Sequence, residues 1–539
     1  MPSTPTTKSQ VQAYRFVLRR MQSALVRKDA VMLHDPMRTH SRATVVGVCL
    51  AALGLLGFLI WGILSPKPKA PDKDGIVIGK PSGQVYVLIA QPDKKLVPVF
   101  NLASARLLLL AQKEKGSENE AGGAKPVAAQ TEVVAPTVVD DNELRDIPKG
   151  RKVGIADGPD LLPSADQRIE STWTVCDQYI LDPGLPDPAK EDKVETTVIA
   201  GVSDLGADLK ANESLLVRAP DGETYLVYRT PKSANQRNDS AVRAKVDLKA
   251  PEVLAALDLD GVEPRNITTG MLNAIPERSP LVSPGIPGRG TDSTIDLGNE
   301  DLTKVGSVFK VERAGDVTRF YVVLKDGVQE VKETTADLIR YYNNPGAPTI
   351  EAVNPDKMSG VPTPPTIEED SYPEVATEVL DPVVFPVACL GWSYSGEGNN
   401  AEEHTSVHIG KKLPGIGLNQ NGTAKSVPIS TPSADGIRID HFYMPPGRGA
   451  VVRQATSKED FNRGQITLIS DRGVKYGVPD KATADALGLG DQKPAPRSII
   501  QLLPDGASLS VKDVVQSYDS TPFGPGQYPT DTPEAQGGG

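Results

Sequence analysis

The feature that most restricts this chain is an uncharged run of 22 residues, ATVVGVCLAALGLLGFLIWGIL, from Ala43 to Leu64. As an α-helix rising 1.5 Å per residue it spans roughly 30 Å, the thickness of a bilayer's hydrocarbon core. A cleaved signal peptide has a shorter apolar stretch close behind a brief basic start, whereas 42 residues precede this one. A buried core helix would be shorter or amphipathic. Here Leu, Val, Gly and Phe surround the helix, and Trp61 falls near its far end, where an interfacial ring sits. The run predicts one transmembrane helix, 43–64. Ala43, Gly47 and Ala51 along it form a ladder of small residues that permits close helix packing.

Charge gives the orientation. Lys8, Arg15, Arg19, Arg20, Arg27, Lys28, Arg38 and Arg42 precede the run against only Asp29 and Asp35, while Lys67, Lys69 and Lys73 after it mix with Asp72 and Asp74. Excess Lys and Arg stay inside, so 1–42 is predicted cytoplasmic and everything after about residue 65 outside. The formal charge is −11 overall, so with six net positive charges before the helix the remainder holds −17. An acidic exterior argues against a nucleic-acid partner. Residues 10–30 place Val11, Tyr14, Leu18, Met21 and Leu25 on one helical face. That basic amphipathic helix, with Arg15, Arg19, Arg20, Arg27 and Lys28, suits either the anionic inner leaflet or a cytoplasmic partner.

The 539 residues exceed one domain, and 47 prolines with 49 glycines predict many turns and a β-rich exterior, hence an α+β fold. With Cys49 inside the apolar run, Cys176 and Cys389 are the only exported pair. In an oxidising compartment an even pair reads as a disulfide, with two separate buried thiols as the alternative. Both lie in strand-like contexts beside tryptophan, STWTVCD and VACLGW.

Internal similarity organises the exterior. GQVYVLIAQPDKKLVPVFNLASARLLL and FYVVLKDGVQEVKETTADLIR read as strand, turn, strand and short helix, with Tyr86 and Tyr321 matching; a third copy starts at Ile466 with Leu468 in that place, and a looser one surrounds Tyr225. NITTGMLNAIPERSPL, PRSIIQLLPDGASLS and GRKVGIADGPDLLP read as similar closing segments. The first and third intervals between repeats are long and contain the two cysteines. The economical explanation is a central domain made of two separated segments and flanked by four small β/α repeats. The predicted divisions are repeat 1 at 72–163 with an insertion near 110–140, central first half 164–210, repeat 2 at 211–290 and repeat 3 at 300–375. The central second half then takes 376–455, repeat 4 takes 456–515, and 516–539 is a flexible tail. Residues 113–130 are also read as loose.

Catalytic patterns are sparse. GKPSG at 79–83 has the wrong order for a phosphate-binding P-loop, and GPGQYPT at 524–530 lacks its lysine. His404 and His408 stand four apart but in β-branched sequence without further ligands, so no metal and no cofactor are expected. Asp440-His441 has no G-x-S-x-G serine to serve.

TKSQVQAYRFVLRRMQSALVRKDAVMLHDPMRTHSRA, VYVLIAQPDKKLVPVFNLASARLLL, STWTVCD, VKYGVPDKATADALGL and IIQLLPDGASLSVKDVV fall in order from residue 7 to about 515. Together they resemble the EccB family of actinobacterial type VII (ESX) secretion systems. The resemblance implies a single-pass inner-membrane protein in a complex with EccC, EccD and EccE and a mycosin protease, self-associating in the periplasm. It also implies a disulfide at Cys176 and Cys389. This chain departs from the family pattern in a longer insertion near 110–140 and in VACLGW, which replaces a more tryptophan-rich version. Family members are often called ATPases, yet no residues here match such a site. A structural subunit is therefore expected, the alternatives being a nucleotide hydrolase and a cell-wall-binding anchor.

Overall fold

The computed structural model describes residues 7–28, 36–64, 69–120, 133–182, 184–186, 193–230, 240–313, 317–346, 349–396, 402–417, 425–431, 437 and 439–518. The chain divides into two units, 1–69 and 70–539.

The first unit is two helices. Lys8–Arg27 ends where Lys28 turns left-handed (φ 57°) and returns its N–H to the Ala24 carbonyl. Pro36–Leu64 begins seven residues before the predicted start, because Thr39, His40, Ser41 and Arg42 continue the helix across its polar flank. Its apolar part, Arg42–Leu64, measures about 35 Å at 1.5 Å per residue. It is wholly exposed within its unit, as a surface made for lipid rather than water is.

The second unit contains four copies of one topology. Three antiparallel strands are followed by a helix and by a fourth strand that returns parallel to the first, giving the order third-second-first-fourth in each sheet. Repeat 1 uses Gly75–Lys80, Val85–Ile89, Lys95–Pro98, helix Leu102–Glu120 and Thr137–Asp140. Repeat 2 uses Glu213–Arg218, Thr224–Thr230, Ser240–Lys245, helix Pro251–Leu257 and Arg265–Asn266. Repeat 3 uses Val308–Arg313, Val317–Val323, Val328–Val331, helix Glu333–Asn343 and Glu351–Ala352. Repeat 4 uses Gly449–Ala455, Ile466–Ser470, Lys475–Val478, helix Lys481–Leu487 and Lys493–Pro496.

Register fixes which residues correspond. Tyr86, Tyr225 and Tyr321 each oppose the first-strand residue (Val77, Val217, Phe309) at which pairing with the fourth strand begins. In repeat 4 that place is taken by Thr467 opposite Val452, one residue before the expected Leu468. A second correspondence seals each unit. After the fourth strand comes a short helical turn, then an apolar residue and a proline (Ile147-Pro148, Ile275-Pro276, Val361-Pro362, Leu503-Pro504). Each proline carbonyl accepts the N–H of a third-strand residue: Leu96 at 2.8 Å, Arg243 at 2.9 Å, Val328 at 2.8 Å and Lys475 at 3.0 Å. A proline has no N–H, but its carbonyl can still cap an otherwise open strand edge. Repeat 1 thus closes through 141–148, not through GRKVGIADGPDLLP.

The repeats pack in pairs. Leu107 and Leu108 of repeat 1 share a core with Ala484 and Leu487 of repeat 4. Val253 and Leu257 of repeat 2 share one with Leu338 and Tyr341 of repeat 3. Between them lies a seven-stranded sheet in the order Val427–Pro428, His441–Tyr443, Val194–Ala200, Thr172–Tyr179, Val387–Ser395, Glu402–Gly410, Ala207–Asp208. It interleaves strands from two chain segments.

Several sequence boundaries shift. Gly449–Ala455 leaves the central half for repeat 4, because its strand forms a hairpin with Ile466–Ser470. Glu378–Val379 pairs with repeat 2's first strand and not with the central sheet. The Leu102–Glu120 helix runs through 113–120, read as loose, since Lys and Glu, five of those eight residues, are good helix formers. Ser517–Tyr518, assigned to the tail, pairs with Lys152–Val153, and the Tyr518 ring stands edge-on to Phe100 at 5.5 Å. The rest of the predicted loose segment, 121–130, and tail residues 519–539 lie outside the described residues.

Candidate functional site

Two regions concentrate functional chemistry: the middle of the central sheet, in the second unit, and the two helices of the first. In the sheet, Thr172–Tyr179 and Val387–Ser395 run antiparallel with Cys176 directly opposite Cys389. Their Cα atoms are 4.0 Å apart, both side chains are buried, and they form a disulfide. Three residues along, Trp173 opposes Trp392 in the same register. An odd offset puts tryptophans and cysteines on opposite faces. The tryptophan face joins a large core with Leu215, Val227, Val452 and Ile499, from repeats 2 and 4, while the disulfide face is covered by Val387, Ile199 and Ile416.

A buried polar seam fastens repeat 2 to this sheet. Asp177 accepts hydrogen bonds from the Thr268 N–H (2.7 Å), the Thr268 hydroxyl (2.8 Å) and the Thr196 hydroxyl (2.9 Å). Burial raises the Asp177 pKa, against the downward pull of those bonds and of the Arg265 charge. Arg265, itself buried, donates to the carbonyls of Phe385 (3.0 Å) and Pro386 (3.2 Å) and lies 5.1 Å from the Tyr179 ring centre. Thr268 also caps the helix Thr269–Ala274. One carboxylate and one guanidinium therefore tie both segments of the central sheet to the closing turn of repeat 2.

On the disulfide face, Glu402–Gly410 carries His404, Ser406 and His408 at alternate positions, hence side by side. Ser406 Oγ lies 2.7 Å from His408 Nε2. His408 Nδ1 lies 2.8 Å from Asp208 Oδ1, a contact off the line of the ring N–H. Asp208 reaches that place because the two-residue strand Ala207–Asp208 pairs with His408 and Ile409. The S-x-H spacing on a predicted strand was the only available sequence signal, and the aspartate lies far off in the chain. Among the described residues no group of three or more His, Cys, Asp or Glu side chains is placed to hold a metal. In the GKPSG turn the Ser82 N–H and hydroxyl bond to Asp141 at 3.0 and 2.9 Å, so a carboxylate of the protein already takes the amide a phosphate would use. His441 lies on the sheet beside Glu195, 3.5 Å away.

In the first unit, Arg15, Arg19 and Arg20 are exposed on the Lys8–Arg27 helix, Arg27 is its last residue and Lys28 its cap. Val11, Tyr14, Leu18, Met21 and Leu25 are also exposed, with Leu25 at 81%. Ala43, Gly47 and Ala51 lie along one exposed face of the apolar helix, and a Cβ added to Gly47 would touch nothing within 4 Å.

A family model described as Type VII secretion system ESX-1, transport TM domain B, matches residues 3–523. The chain is 29% identical over 526 residues to the ESX-1 secretion system ATPase EccB1 of Mycolicibacterium smegmatis (strain MKD8), covering 96% of this chain and 97% of that one. It is 28% identical over 560 residues to the ESX-3 secretion system ATPase EccB3 of Mycobacterium tuberculosis strain H37Rv, covering 99% and 93%. Its fold matches a chain of an intact ESX-5 inner membrane complex with TM-score 0.65 at 24% identity over 98% of both chains. It also matches an EccB3 dimer from the ESX-3 core complex with TM-score 0.64 at 24% identity, covering 82% of this chain and all of the other.

Proposed function

Since the chain belongs to the EccB family of type VII (ESX) secretion systems, we propose that it is a structural subunit of the ESX inner membrane complex, anchoring and assembling its periplasmic part for protein export. The observation that carries this reading is the unbroken family match from residue 3 to 523, which takes in the apolar helix and all four repeats. Positive charge before the apolar helix supports an N-terminus in the cytoplasm, with the repeat unit in the periplasm. In the cytoplasm the exposed apolar face of Lys8–Arg27 docks on the membrane surface or on machinery of the EccC and EccD type, and in the membrane the Ala43–Gly47–Ala51 ladder packs against a neighbouring helix. EccE-type subunits, a mycosin protease and a second copy of this chain complete the assembly. The dimeric state named for the EccB3 structure supports the last of these.

The test is to tag the C-terminus, solubilise membranes in mild detergent and identify the contents of the largest blue-native band. A band of megadalton size holding EccC-, EccD- and EccE-type subunits is expected; a monomer or dimer without them overturns the reading. The relatives are named ATPases, and the rival reading of a nucleotide hydrolase wins if the full chain, purified free of any EccC-type motor, hydrolyses ATP. Protease digestion of spheroplasts checks orientation: cleavage in the repeats is expected, and cleavage confined to the Lys8–Arg27 segment would invert it.

A further inference from the structure

The chain has, besides its assembly role and independently of it, the parts of an activated hydroxyl. We propose that Ser406 is a nucleophile that takes acyl groups from small esters, with His408 as its base and Asp208 as the group that orients the imidazole. Ser406 and His408, two apart, project from one face of Glu402–Gly410, which holds Oγ 2.7 Å from Nε2, within proton-transfer reach. Asp208 is held opposite His408 by the edge pairing, and its carboxylate 2.8 Å from Nδ1 favours the tautomer with the proton on that nitrogen. The Nε2 lone pair then faces the serine. Asp208 stands off the line of the Nδ1–H, as catalytic contacts often do before substrate arrives.

The neighbours fit. Opposite Ser406 the partner strand has Gly391, and a Cβ there would come within 3.3 Å of both Ser406 Oγ and His408 Nε2. Leu205 Cδ1 lies 2.5 Å from that same Cβ position, so a leucine forms an apolar wall beside the pair. Ser406 is half-buried while His408 is buried. Burial lowers the His408 pKa, and nearby His404 lowers it further; Asp208, the Gly206 backbone and Asp204 raise it without reversing the direction. The imidazole is thus neutral, and a base, at neutral pH.

The chemistry balances with water as the only co-reactant. Ser406 Oγ bonds to the ester carbonyl carbon as its proton passes to His408 Nε2; the alkoxide leaves and takes that proton as alcohol. Water, deprotonated by the same nitrogen, then attacks the acyl-serine, releasing the acid and returning the proton to Oγ.

The test uses the full-length chain in detergent and a biotinylated fluorophosphonate, with which a nucleophilic serine forms an O–P bond as fluoride leaves. Peptide mass spectrometry of the unmodified protein should find the adduct on Ser406. Ser406→Ala should abolish it, and His408→Gln should slow it by roughly a hundredfold, the usual worth of a positioned base. The labelling rate should be flat above about pH 7 and fall only below the ordinary imidazole range, near 6.5. The proposal is overturned if no adduct forms, if adducts spread over many serines at similar rates, or if the rate ignores pH. It is equally overturned if His408→Gln, with wild-type tryptophan fluorescence, labels at the wild-type rate. Mapping and pH profile use the unmodified chain, so misfolding of a variant leaves both decisive. The size of the membrane complex bears on neither.

Discussion

Removing the Cys176–Cys389 bond should cost about 5 kcal/mol of stability. The two cysteines are 213 residues apart, and cross-linking a loop of that length removes about 18 cal/mol/K of entropy from the unfolded chain, or about 5 kcal/mol at 25 °C. Residual structure in the denatured ensemble makes this an upper figure. The second unit, Ala70–Gly539, holds roughly 470 residues. At about 2.1 cal/mol/K of unfolding entropy per residue its total is about 1 kcal/mol/K, so the transition should fall by about 5 °C. The perturbation is the double variant Cys176→Ala, Cys389→Ala, which leaves no lone thiol in the core. The assay is thermal unfolding followed by tryptophan emission. Of the three tryptophans, Trp173 and Trp392 are buried on the same two strands as the bond, and Trp61 is in the apolar helix. Since the stabilisation resides in the unfolded state, the folded spectrum of the variant should match that of the wild type. A midpoint lowered by less than one degree refutes the loop-closure reasoning. A changed folded spectrum also refutes it, because the bond would then be propping up the native sheet.

Three further outcomes are expected. Gly327→Ala drives a Cβ to within 2.5 Å of the Pro362 carbonyl and 2.8 Å of Pro364 Cδ. It should cost about 1–3 kcal/mol, lower the urea midpoint, and speed hydrogen exchange at the Val328 amide that this carbonyl accepts. His408 has a folded-state pKa below its unfolded value. Its neutral form therefore adds stability that is fully present above about pH 6.5 and lost as pH falls through the lowered pKa. Denaturant melts across that window should show a shallower acid decline in His408→Gln, and an unchanged slope would contradict the burial argument. Leu53→Arg puts a charge in the middle of the apolar helix, at about 3 kcal/mol. Carbonate washing should then release a larger share of the chain from membranes.

The apolar helix and the β/α repeats were legible in the sequence because each rests on local pattern: an uncharged run long enough to cross a bilayer, and alternation around Tyr86, Tyr225 and Tyr321. The two-segment centre was legible from uneven spacing. What escaped depends on pairing. Thr467, not Leu468, is the fourth equivalent, because the strand slips by one residue against Val452, and only a ladder reveals such a slip. The closing element of repeat 1 is Ile147-Pro148, whose signature is a carbonyl that no side-chain pattern encodes. Gly449–Ala455 reads equally well as the end of one domain or the start of another until its hairpin partner is known. At the site, Ser406 and His408 are visible as S-x-H, but Asp208 arrives through a strand of two residues, too short to leave a periodicity.

The interleaving of the central sheet also sets an order of events at synthesis. A chain made from its N-terminus completes repeats 2 and 3, which lie wholly between the two segments, before Val387–Ser395 exists. Until then Thr172–Tyr179 has no partner on one edge, and Cys176 waits for a thiol 213 residues behind it. The nascent protein thus carries an unpaired thiol and an open strand while 213 further residues are made, the state in which mispairing and aggregation occur. Premature oxidation, by capping Cys176 before its partner emerges, is the hazard that this fold builds into its own assembly.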